Sequence, residues 1–466
     1  MTHVVVVGAY GSAGVAAAQR LADAPEVDRL TLVDDGDPGG GLCILRGCMP
    51  SKEVLSAAAH RHHPRADERL DGPAPAVDLE RTVAVKDRHT GNFAKHRRAA
   101  VHDLSERADV TLHRDTARFV DDRTVAVGGR TIDADYVVLA TGSSVNRPDI
   151  DGIETVDPMD SADVLDATSL PDSGVVMGFG YVGIELVPYL REAGGVDLTV
   201  IEHDERPLDR AHPSIGDDLL ALYREEFGIE VLTETTEKAV EPTDDGGVRL
   251  HVAGPNGDRS IEADQLFIFT GRRPALDGPG LDATSLDPGP GWVDDAMRAA
   301  GDPRVYVPGD ANGDRMVLHV AKEEGVLAAE NIRADCRGDA VETYDPTTHR
   351  VMFAGAGVYP YASVGMTAEE ARAAGHEPVV TTREASDDGV FKSKAVPRGR
   401  ARLVVDPDGT VLGYHGLHFH ADVMAKTMQV IVENEMDVGA VPDRAYHPTT
   451  PEIIDGLVRA AAEQVD

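Results

Sequence analysis

The chain has 466 residues, of which 42% are hydrophobic, and it carries a formal net charge of -36 at pH 7. A chain of this length exceeds a single hydrophobic core, so about two to four globular domains are expected. The acidic balance disfavours nucleic-acid binding, and no segment approaches the roughly 20 consecutive apolar residues that a membrane span requires.

The distribution of charge suggests a protein adapted to salt. Acidic side chains number 81, against 45 lysines and arginines, and they are scattered along the chain rather than concentrated in blocks. Salt screens the self-repulsion of such a surface, which favours this interpretation over an acidic patch for a basic partner. The sequence enters a strand at His3 without a signal-peptide pattern and has three cysteines, so we expect a reducing, cytoplasmic location.

The first predicted element is a buried strand, Val4 to Val7, that runs into a glycine-rich turn and a helix. The turn departs from the usual G-x-G-x-x-G spacing of dinucleotide sites. Either Tyr10 replaces the second glycine and Ala13 the third, or the turn is one residue longer. The longer turn would use Gly8, Gly11 and Gly14. The next strand ends in Asp34, where a carboxylate can bind a ribose hydroxyl pair, so a nucleotide site is predicted.

Two cysteines follow a run of three glycines. Cys43 and Cys48 stand five residues apart, ahead of a helix start at Pro50-Ser51-Lys52. Such a pair can close a small disulfide ring and reopen it if one sulfur is stabilised as a thiolate. The spacing differs from the Cys-x-x-Cys of thioredoxin-like and zinc motifs. The segment therefore predicts a redox-active dithiol.

A second strand-turn-helix pattern has the full dinucleotide fingerprint. Gly178, Gly180 and Gly183 lie between a predicted strand and a predicted helix, and the next strand ends in Glu202. A carboxylate at that place accepts bonds from the adenosine ribose and repels a 2′-phosphate, which favours NADH over NADPH. The basic residues just beyond it could still hold a phosphate, so both coenzymes stay open. These residues are His203, Arg206 and Arg210.

The cysteine segment and the two glycine turns together resemble the flavin-dependent pyridine nucleotide-disulfide oxidoreductases, such as dihydrolipoamide dehydrogenase and glutathione reductase. Four further segments strengthen the resemblance: 136–143 with its Ala-Thr-Gly turn, 305–310 ending in Gly-Asp, the helix 318–325, and 364–371. The resemblance implies an α/β fold with two Rossmann-like dinucleotide-binding domains, for FAD and NAD(P), and a C-terminal α+β dimerisation domain.

The predicted domain boundaries follow from this arrangement. The FAD-binding domain comprises 1–150 and 271–344, the NAD(P)-binding domain 151–270, and the dimerisation domain 345–466. The resemblance also implies cofactor-binding residues in the first two domains. They are Gly8, Gly11, Gly14, Asp34, Ala117, Thr141, Gly142, Gly178, Gly180, Tyr181, Gly183, Glu202, Gly271, Asp310 and His319.

The resemblance implies how the cysteines work. NAD(P)H would reduce FAD, the reduced flavin would open the disulfide at Cys48, and Cys43 would exchange with an external disulfide. In the family a lysine and a glutamate pair beside the flavin, where the cation stabilises negative charge. Lys52 and Glu185 match these two positions.

The last predicted site residues lie near the C-terminus. His447 is followed five residues later by Glu452, so a hydrogen-bonded dyad can form in which the carboxylate orients the imidazole. In the family this histidine comes from the partner subunit of a homodimer and moves the proton of the thiol pair. No metal site is expected, since the histidines at 60, 62 and 63 lack ordered ligand spacing.

The substrate is predicted from charge. Arg46 stands between the two cysteines, and the segment 60–65 adds a basic cluster to an otherwise acidic chain. A γ-glutamyl disulfide carries several carboxylates, which such charge would bind. The acidic composition points to salt-loving archaea, whose main small thiol is γ-glutamylcysteine, so bis-γ-glutamylcystine is the preferred substrate. A solvated helix face is an equally good interpretation of the cluster 60–65.

Other activities remain as alternatives. Dihydrolipoamide dehydrogenase is the main one, although its usual Leu-Asn-x-Gly between the cysteines is here Ile44-Leu45-Arg46-Gly47. Mercuric reductases usually carry a C-terminal cysteine pair and lack the histidine, and no cysteine follows Cys336. A non-catalytic flavoprotein sensor is disfavoured by the presence of both cysteines and His447.

Overall fold

The protein, described here by a computed structural model of residues 1–444 and 446–465, forms two compact units. The first comprises Met1–Pro50, Val85–Asn146 and Arg272–Asp345, and the second comprises Ser51–Ala84, Arg147–Gly271 and Pro346–Asp466. The three domains expected from the sequence, with their boundaries at 150/151, 270/271 and 344/345, stay predictions, because the division into two units does not resolve them. Within the described ranges, no helix combines the length and the apolar character needed to cross a membrane.

The elements alternate between strand and helix in the manner expected for an α/β fold. The strands, in chain order, are β1 (His3–Val7), β2 (Arg29–Val33), β3 (Val110–His113), β4 (Ala117–Phe119), β5 (Thr124–Val127), β6 (Arg130–Asp133), β7 (Tyr136–Leu139), β8 (Ser143–Val145), β9 (Ser173–Met177), β10 (Asp197–Ile201), β11 (Glu230–Leu232), β12 (Thr236–Pro242), β13 (Val248–Gly254), β14 (Gly257–Ala263), β15 (Gln265–Ile268), β16 (Arg272–Pro274), β17 (Val305–Tyr306), β18 (His349–Met352), β19 (Tyr361–Gly365), β20 (Val379–Glu384), β21 (Gly399–Val405) and β22 (Val411–His418). The helices are α1 (Ser12–Ala22), α2 (Leu42–Leu45), α3 (Cys48–Ala66), α4 (Leu79–Ser105), α5 (Ser161–Asp166), α6 (Tyr181–Gly194), α7 (Pro213–Ala221), α8 (Leu318–Arg337), α9 (Ala368–Ala373), α10 (Gly389–Ser393), α11 (Ala421–Glu433) and α12 (Glu452–Ala462).

The first unit is built on a five-stranded parallel sheet in the order β17-β7-β1-β2-β3. The residues Val4–Val7 of β1 are all buried, as expected for a central strand covered by helices on both faces. Because the strands are parallel, their carboxyl ends meet at one edge, and ligands of such sheets bind there. The turns after β1, β7 and β17 therefore form one side of a site.

The second unit contains two sheets. Its parallel sheet has the order β11-β10-β9-β15, and its C-terminal part is an antiparallel sheet in the order β18-β19-β22-β21-β20. Helices α11 and α12 bury apolar faces against the C-terminal sheet, through residues such as Met424, Met428 and Leu457. The predicted fold class, with two dinucleotide-binding sheets and a C-terminal α+β module, is confirmed.

The two glycine turns differ in length by one residue. In the second unit a side chain at Gly183 would meet the Gly178 carbonyl oxygen at 2.3 Å, and α6 begins after Gly180. In the first unit a side chain at Gly14 would meet the Gly8 oxygen at 2.0 Å, and α1 begins after Gly11. Gly14 thus occupies the position of Gly183, where the helix crosses the end of its strand. The structure therefore has the longer of the two turns predicted from the sequence, the one with Gly8, Gly11 and Gly14.

Replacing Gly14 with alanine should destabilise the first unit. The added methyl group has no space beside the Gly8 oxygen, and overpacking of this kind costs about 1–3 kcal/mol. Gly91 is a matched control, because it lies exposed in α4 and an added methyl group there would enter open space. Gly91→Ala should stabilise by about 0.5–1 kcal/mol through helix propensity. Thermal unfolding of both variants measures the difference, and equal midpoints would contradict the close approach.

Candidate active site

The cysteine pair is held between two helices. Cys43 lies in the single-turn helix α2 and is partly buried, whereas Cys48 begins α3 and is exposed. Both are reduced, and they lie within hydrogen-bonding reach of each other. The hydrogen bond with Cys48, followed by burial, raises the pKa of the Cys43 thiol far above its ordinary value. Ionisation of Cys43 is therefore disfavoured while its thiol is bonded to Cys48 and partly buried.

Lys52 and Glu185 form the ion pair that was expected. The Lys52 ammonium lies 2.6 Å from Glu185 Oε2, and both side chains are partly buried. The backbone N–H of Phe353 donates to Glu185 Oε1 at 3.1 Å, and the ammonium lies 4.4 Å from the centre of the Phe353 ring. Both carboxylate oxygens are thus engaged, so the position of the cation is fixed more firmly than in an exposed pair.

The basic cluster of α3 has a structural role. Arg61 and Arg65 both bond Glu192, a carboxylate whose side chain is only 2% exposed, and Arg65 does so at 2.9 Å. Burial raises the pKa of Glu192, but the interactions with His62, whose Nδ1 lies 3.9 Å from Oε2, and with the two arginines outweigh burial and lower it. His62 is itself buried and stacks on Phe227. Arg61 and Arg65 are therefore engaged by a carboxylate of the protein itself, and the substrate role and the solvated face both stay predictions for the cluster.

The edge of the first sheet gathers polar groups from three distant segments. Ser143 follows β7 and donates from its Oγ to Asp310 Oδ2 at 2.5 Å, just after β17. Arg272 donates from Nε to Ser143 Oγ at 2.8 Å and from Nη2 to the Ser143 carbonyl oxygen at 2.6 Å. Since β7 and β17 are parallel neighbours, their ends necessarily lie together. The hydrogen bonds from Arg272 to Ser143 and from Ser143 to Asp310 hold the Asp310 carboxylate at the carboxyl edge of the sheet.

A buried carboxyl group lies behind Asp310. Glu324 of α8 is 1% exposed and accepts from the Gly309 N–H at 2.6 Å and from Asn312 Nδ2 at 3.0 Å. Burial raises its pKa from 4.5 to about 7 despite these two donors. The group anchors the turn that carries Asp310.

Asp34 anchors the first glycine turn. Its Oδ2 accepts from the Tyr10 N–H at 2.8 Å and its Oδ1 from the Gly36 N–H at 2.9 Å. Each carboxylate oxygen has two acceptor sites, so bonds to a ribose remain compatible with this arrangement. Burial raises the pKa of Asp34, and these backbone bonds counteract that effect.

The starts of α1 and α6 fit dinucleotide pyrophosphates. Gly11 and Gly180 cap these helices without any side-chain hydrogen bond, so the first backbone N–H groups are not capped by the protein and can bind an anion. At Gly180 the space that a side chain would fill is open. Glu202 follows β10 and accepts from the Asp204 N–H at 2.9 Å. The residues fit FAD in the first unit and a nicotinamide dinucleotide in the second.

The other predicted cofactor residues lie in both units. Ala117 is buried in β4, and Gly142 has a positive φ of 73° directly after Thr141. Tyr181 is 48% exposed at the start of α6. His319 is in the first turn of α8, and Gly271 immediately precedes β16.

His447 and Glu452 form the predicted dyad. His447 Nδ1 lies 3.0 Å from Glu452 Oε1, and the imidazole is 79% exposed. The backbone N–H of Thr449 donates to the same oxygen at 2.9 Å. That bond and the bond from His447 lower the pKa of Glu452. Because the carboxylate engages Nδ1, proton transfer to another molecule falls to Nε2.

Comparison with known proteins identifies the class. Residues 2–325 match the pyridine nucleotide-disulphide oxidoreductases, and residues 356–458 match the dimerisation domain of the same proteins. A mercuric reductase of Streptomyces lividans is 32% identical over 94% of this chain and 92% of its own length. Dihydrolipoyl dehydrogenase 2 of Haloarcula marismortui is 32% identical over 87% of this chain and 85% of its own. The HOCl-induced flavoprotein disulfide reductase RclA of Escherichia coli shares the fold, with a TM-score of 0.82, 20% identity, and coverage of 98% of this chain and 99% of its own.

These matches and the two nucleotide turns define a flavoprotein oxidoreductase with a dithiol. The chain belongs to the pyridine nucleotide-disulphide oxidoreductase family. It is an NAD(P)H-dependent flavoprotein disulfide oxidoreductase whose cofactors are FAD and a nicotinamide dinucleotide. Its dimerisation domain supports a homodimer.

Sequence reasoning predicted none of the contacts that three residues of this site make: Ser143, Arg272 and Glu324. A signal for Glu324 was present, because it falls three residues after Ala321 and four before Ala328, on the buried face of α8. A carboxylate on an apolar face needs buried donors, which predicts an anchoring role. Ser143 and Arg272 gave no comparable signal, since their contact joins residues 129 positions apart.

Replacing Glu324 with glutamine should change how stability depends on pH. Folding raises the pKa of this group from 4.5 to about 7, so ionisation opposes folding as the pH rises through that interval. Between pH 5 and pH 8 the wild-type protein should lose on the order of 1–3 kcal/mol relative to Glu324→Gln. The measurement is the difference in thermal midpoint at the two pH values. Glu323→Gln, an exposed neighbour on α8, should track the wild type, and a pH-independent difference for Glu324→Gln would contradict the raised pKa.

Proposed function

We propose that the protein reduces a small anionic disulfide, most specifically bis-γ-glutamylcystine, using NADH. The observation that carries the proposal is the Cys43–Cys48 dithiol with the exposed Arg46 between the two cysteines in sequence. Arg46 lies in the two-residue connection between α2, which carries Cys43, and α3, which begins at Cys48, and guanidinium groups bind carboxylates with two parallel bonds. Arg61 and Arg65 no longer support this substrate, because they bond Glu192.

Different residues of the chain would carry out different steps of the reaction. FAD, when bound, supplies the two-electron relay between the nicotinamide and the dithiol. Cys48 holds the first thiolate charge, consistent with the raised pKa of Cys43, and Cys43 exchanges with the substrate disulfide. Lys52, fixed by Glu185, supplies a positive charge for the flavin. His447, oriented by Glu452 and exposed, moves the proton for the partner subunit.

The surroundings of Glu202 favour NADH. His203 Nε2 lies 2.5 Å from Glu237, and Arg206 Nε lies 2.6 Å from Asp217. Two of the three basic groups that could have held a 2′-phosphate are therefore engaged by carboxylates. Glu202 itself would repel such a phosphate.

Dihydrolipoamide dehydrogenase is the second candidate. Besides the relative from Haloarcula, proteins named dihydrolipoyl dehydrogenase from Haloferax volcanii and Halobacterium salinarum are each 30% identical over 97% of this chain. The preference for NADH that Glu202 indicates suits this reaction equally well. The exposed Arg46 favours the anionic disulfide, because a lipoyl arm is apolar.

A side-by-side turnover assay tests the proposal. Purified holoenzyme in concentrated salt is given NADH or NADPH together with bis-γ-glutamylcystine, lipoamide, glutathione disulfide or Hg(II). We expect NADH-dependent turnover with kcat/KM highest for bis-γ-glutamylcystine. Efficient reduction of lipoamide without reduction of bis-γ-glutamylcystine would replace the proposal with the second candidate. Preferential Hg(II) reduction would replace both.

Arg46→Gln supplies the residue-level control for this assay. Loss of a charge-assisted hydrogen bond should raise KM for bis-γ-glutamylcystine about tenfold, since such bonds contribute roughly 1.5–3 kcal/mol. KM for lipoamide should stay within twofold. Arg130→Gln, at an exposed arginine of β6, should change neither constant. An equal rise for both substrates would show that Arg46 does not recognise carboxylates.

Replacing His447 with glutamine should separate the two halves of the reaction. Removal of a general acid–base group typically lowers a rate by about 10²–10⁴-fold, so disulfide turnover should fall by that range. Oxidation of NADH by ferricyanide, which needs no exchange at the thiols, should persist. Tyr446→Phe is the control, because Tyr446 is the 90% exposed neighbour of His447. Disulfide turnover that survives in His447→Gln would remove the dyad from the mechanism.

A further inference from the structure

The loop that carries His447 is exposed except near its end. In this dyad loop, residues 446–451, Thr450 is the only buried residue, with a relative exposure of 6%. Glu452 attaches the loop to the start of α12 through its bonds to His447 and Thr449. A loop attached at that end alone can still turn about the start of the helix, so the contact that Thr450 makes decides where His447 is held.

The Thr450 hydroxyl meets a histidine from another element. His420 Nδ1 lies 3.1 Å from Thr450 Oγ1, although the two residues are 30 positions apart in sequence. His420 is half-buried between β22 and α11, and α11 packs against the C-terminal sheet through Met424 and Met428. The bond therefore attaches the dyad loop to the packed body of the second unit.

Two aromatic contacts restrict the ring of His420. The imidazole stacks on Phe419, with ring centres 3.7 Å apart and planes inclined by 26°. The ring of His63, from α3, meets Phe419 in a T-shaped arrangement with centres 6.2 Å apart. Stacked and T-shaped contacts are the favourable geometries for such rings. The imidazole of His420 is therefore held in the orientation that bonds Thr450.

The backbone of His420 has a conformation that favours glycine. Its φ of 69° and ψ of 17° lie in the left-handed region, which is sterically unfavourable for a residue with a β-carbon. Glycine would occupy this position without that strain. Strained residues are concentrated at functional sites, where the surrounding structure holds them in place. Histidine in place of glycine at this position indicates that its side chain is used.

The bond between His420 and Thr450 joins two uncharged groups. Burial lowers the pKa of His420, Asp422 opposes this effect and Lys394 adds to it, so the imidazole is neutral at pH 7. A neutral imidazole nitrogen either accepts the hydroxyl proton or donates its own to the hydroxyl oxygen. Loss of the bond should therefore have the effect expected for a neutral hydrogen bond.

We propose that His420 is a positioning residue for proton transfer, which holds the dyad loop through Thr450 and thereby fixes the place of His447. A general acid or base works only within hydrogen-bond reach of the proton that it moves. A displacement of about 1 Å can lower a rate by about 10²-fold. The proposal rests on the proton-transfer role that the proposed function gives to His447, and it is independent of which disulfide is reduced.

The test compares variants of the two bonded residues in the holoenzyme. His420→Gly removes the imidazole and leaves a residue suited to the left-handed backbone, and Thr450→Val removes the hydroxyl while keeping the volume. His420→Asn and Thr450→Ser keep a side chain that can form the bond. Glu435→Gly is the matched control, because Glu435 is exposed just beyond α11 and also has a positive φ, of 48°. Steady-state kcat is expressed per bound flavin, so that loss of folded enzyme does not count as loss of rate.

We expect His420→Gly and Thr450→Val each to lower kcat by about threefold to tenfold, the factor that corresponds to loss of one neutral hydrogen bond. KM for the disulfide should stay within about twofold, because the bond positions a proton-transfer group and does not contact the substrate. The double variant should lose no more than the larger single loss, since both changes break the same bond. His420→Asn and Thr450→Ser should keep most of the wild-type kcat, and Glu435→Gly should keep all of it.

Three outcomes would overturn the proposal. An unchanged kcat in His420→Gly would show that the bond is not needed for turnover. Losses that multiply in the double variant would show that His420 and Thr450 act separately. An equal loss in Glu435→Gly would assign the effect to backbone freedom at the ends of α11.

The assay also separates this inference from the proposed function. It uses whichever disulfide the wild-type enzyme reduces fastest, so failure with bis-γ-glutamylcystine would change the proposed substrate alone. Full turnover in His447→Gln would remove the dyad from the mechanism, and this inference with it. A slow His447→Gln together with a normal His420→Gly would overturn this inference and leave the dyad in place.

Discussion

The carbonyl oxygen of Gly8 leaves no space for a side chain at Gly14 of α1. The nucleotide site of the first unit depends on this close contact between the helix and the end of β1. Because Gly14 lets α1 cross the end of β1, the uncapped start of α1 lies at the edge where β7 and β17 also end. The same contact, between Gly183 and Gly178, sets the start of α6 in the second unit. The Gly8–Gly14 and Gly178–Gly183 contacts thereby fix where each dinucleotide-binding helix begins relative to its strand.

The sequence predicted those features that depend on local order. Strand, glycine turn, helix and terminal carboxylate follow one another along the chain, and so do the two cysteines and the His447–Glu452 dyad. It could not decide the length of the first turn, because Gly11 and Gly14 on one side and Tyr10 and Ala13 on the other fit the spacing equally well. Only the contact of the helix with the strand end distinguishes them.

The sequence predicted the roles of charged side chains less well than it predicted the positions of the motifs. The residues Arg61 and Arg65 looked available to a substrate because their partner, Glu192, lies more than 120 residues away in sequence. Glu324 was overlooked although its donors, Gly309 and Asn312, are only 15 and 12 residues away, because the spacing of a turn and a helix does not show that they pack together. In a protein with a net charge of -36, sequence composition does not show which cations are engaged by carboxylates inside the fold and which, like Arg46, are exposed.

The enclosure of Gly39, Gly40 and Gly41 limits how this enzyme can change during evolution. Gly39 has no room for a β-carbon, and one at Gly40 or at Gly41, which has a positive φ, would lie 3.1 Å from a neighbouring atom, so a mutation at any of the three disturbs the redox loop. New substrate preferences can arise only at neighbouring positions whose side chains have room, such as Arg46 and the exposed face of α4. The packing of these glycines therefore constrains the dithiol loop more tightly than it constrains the exposed positions beside it.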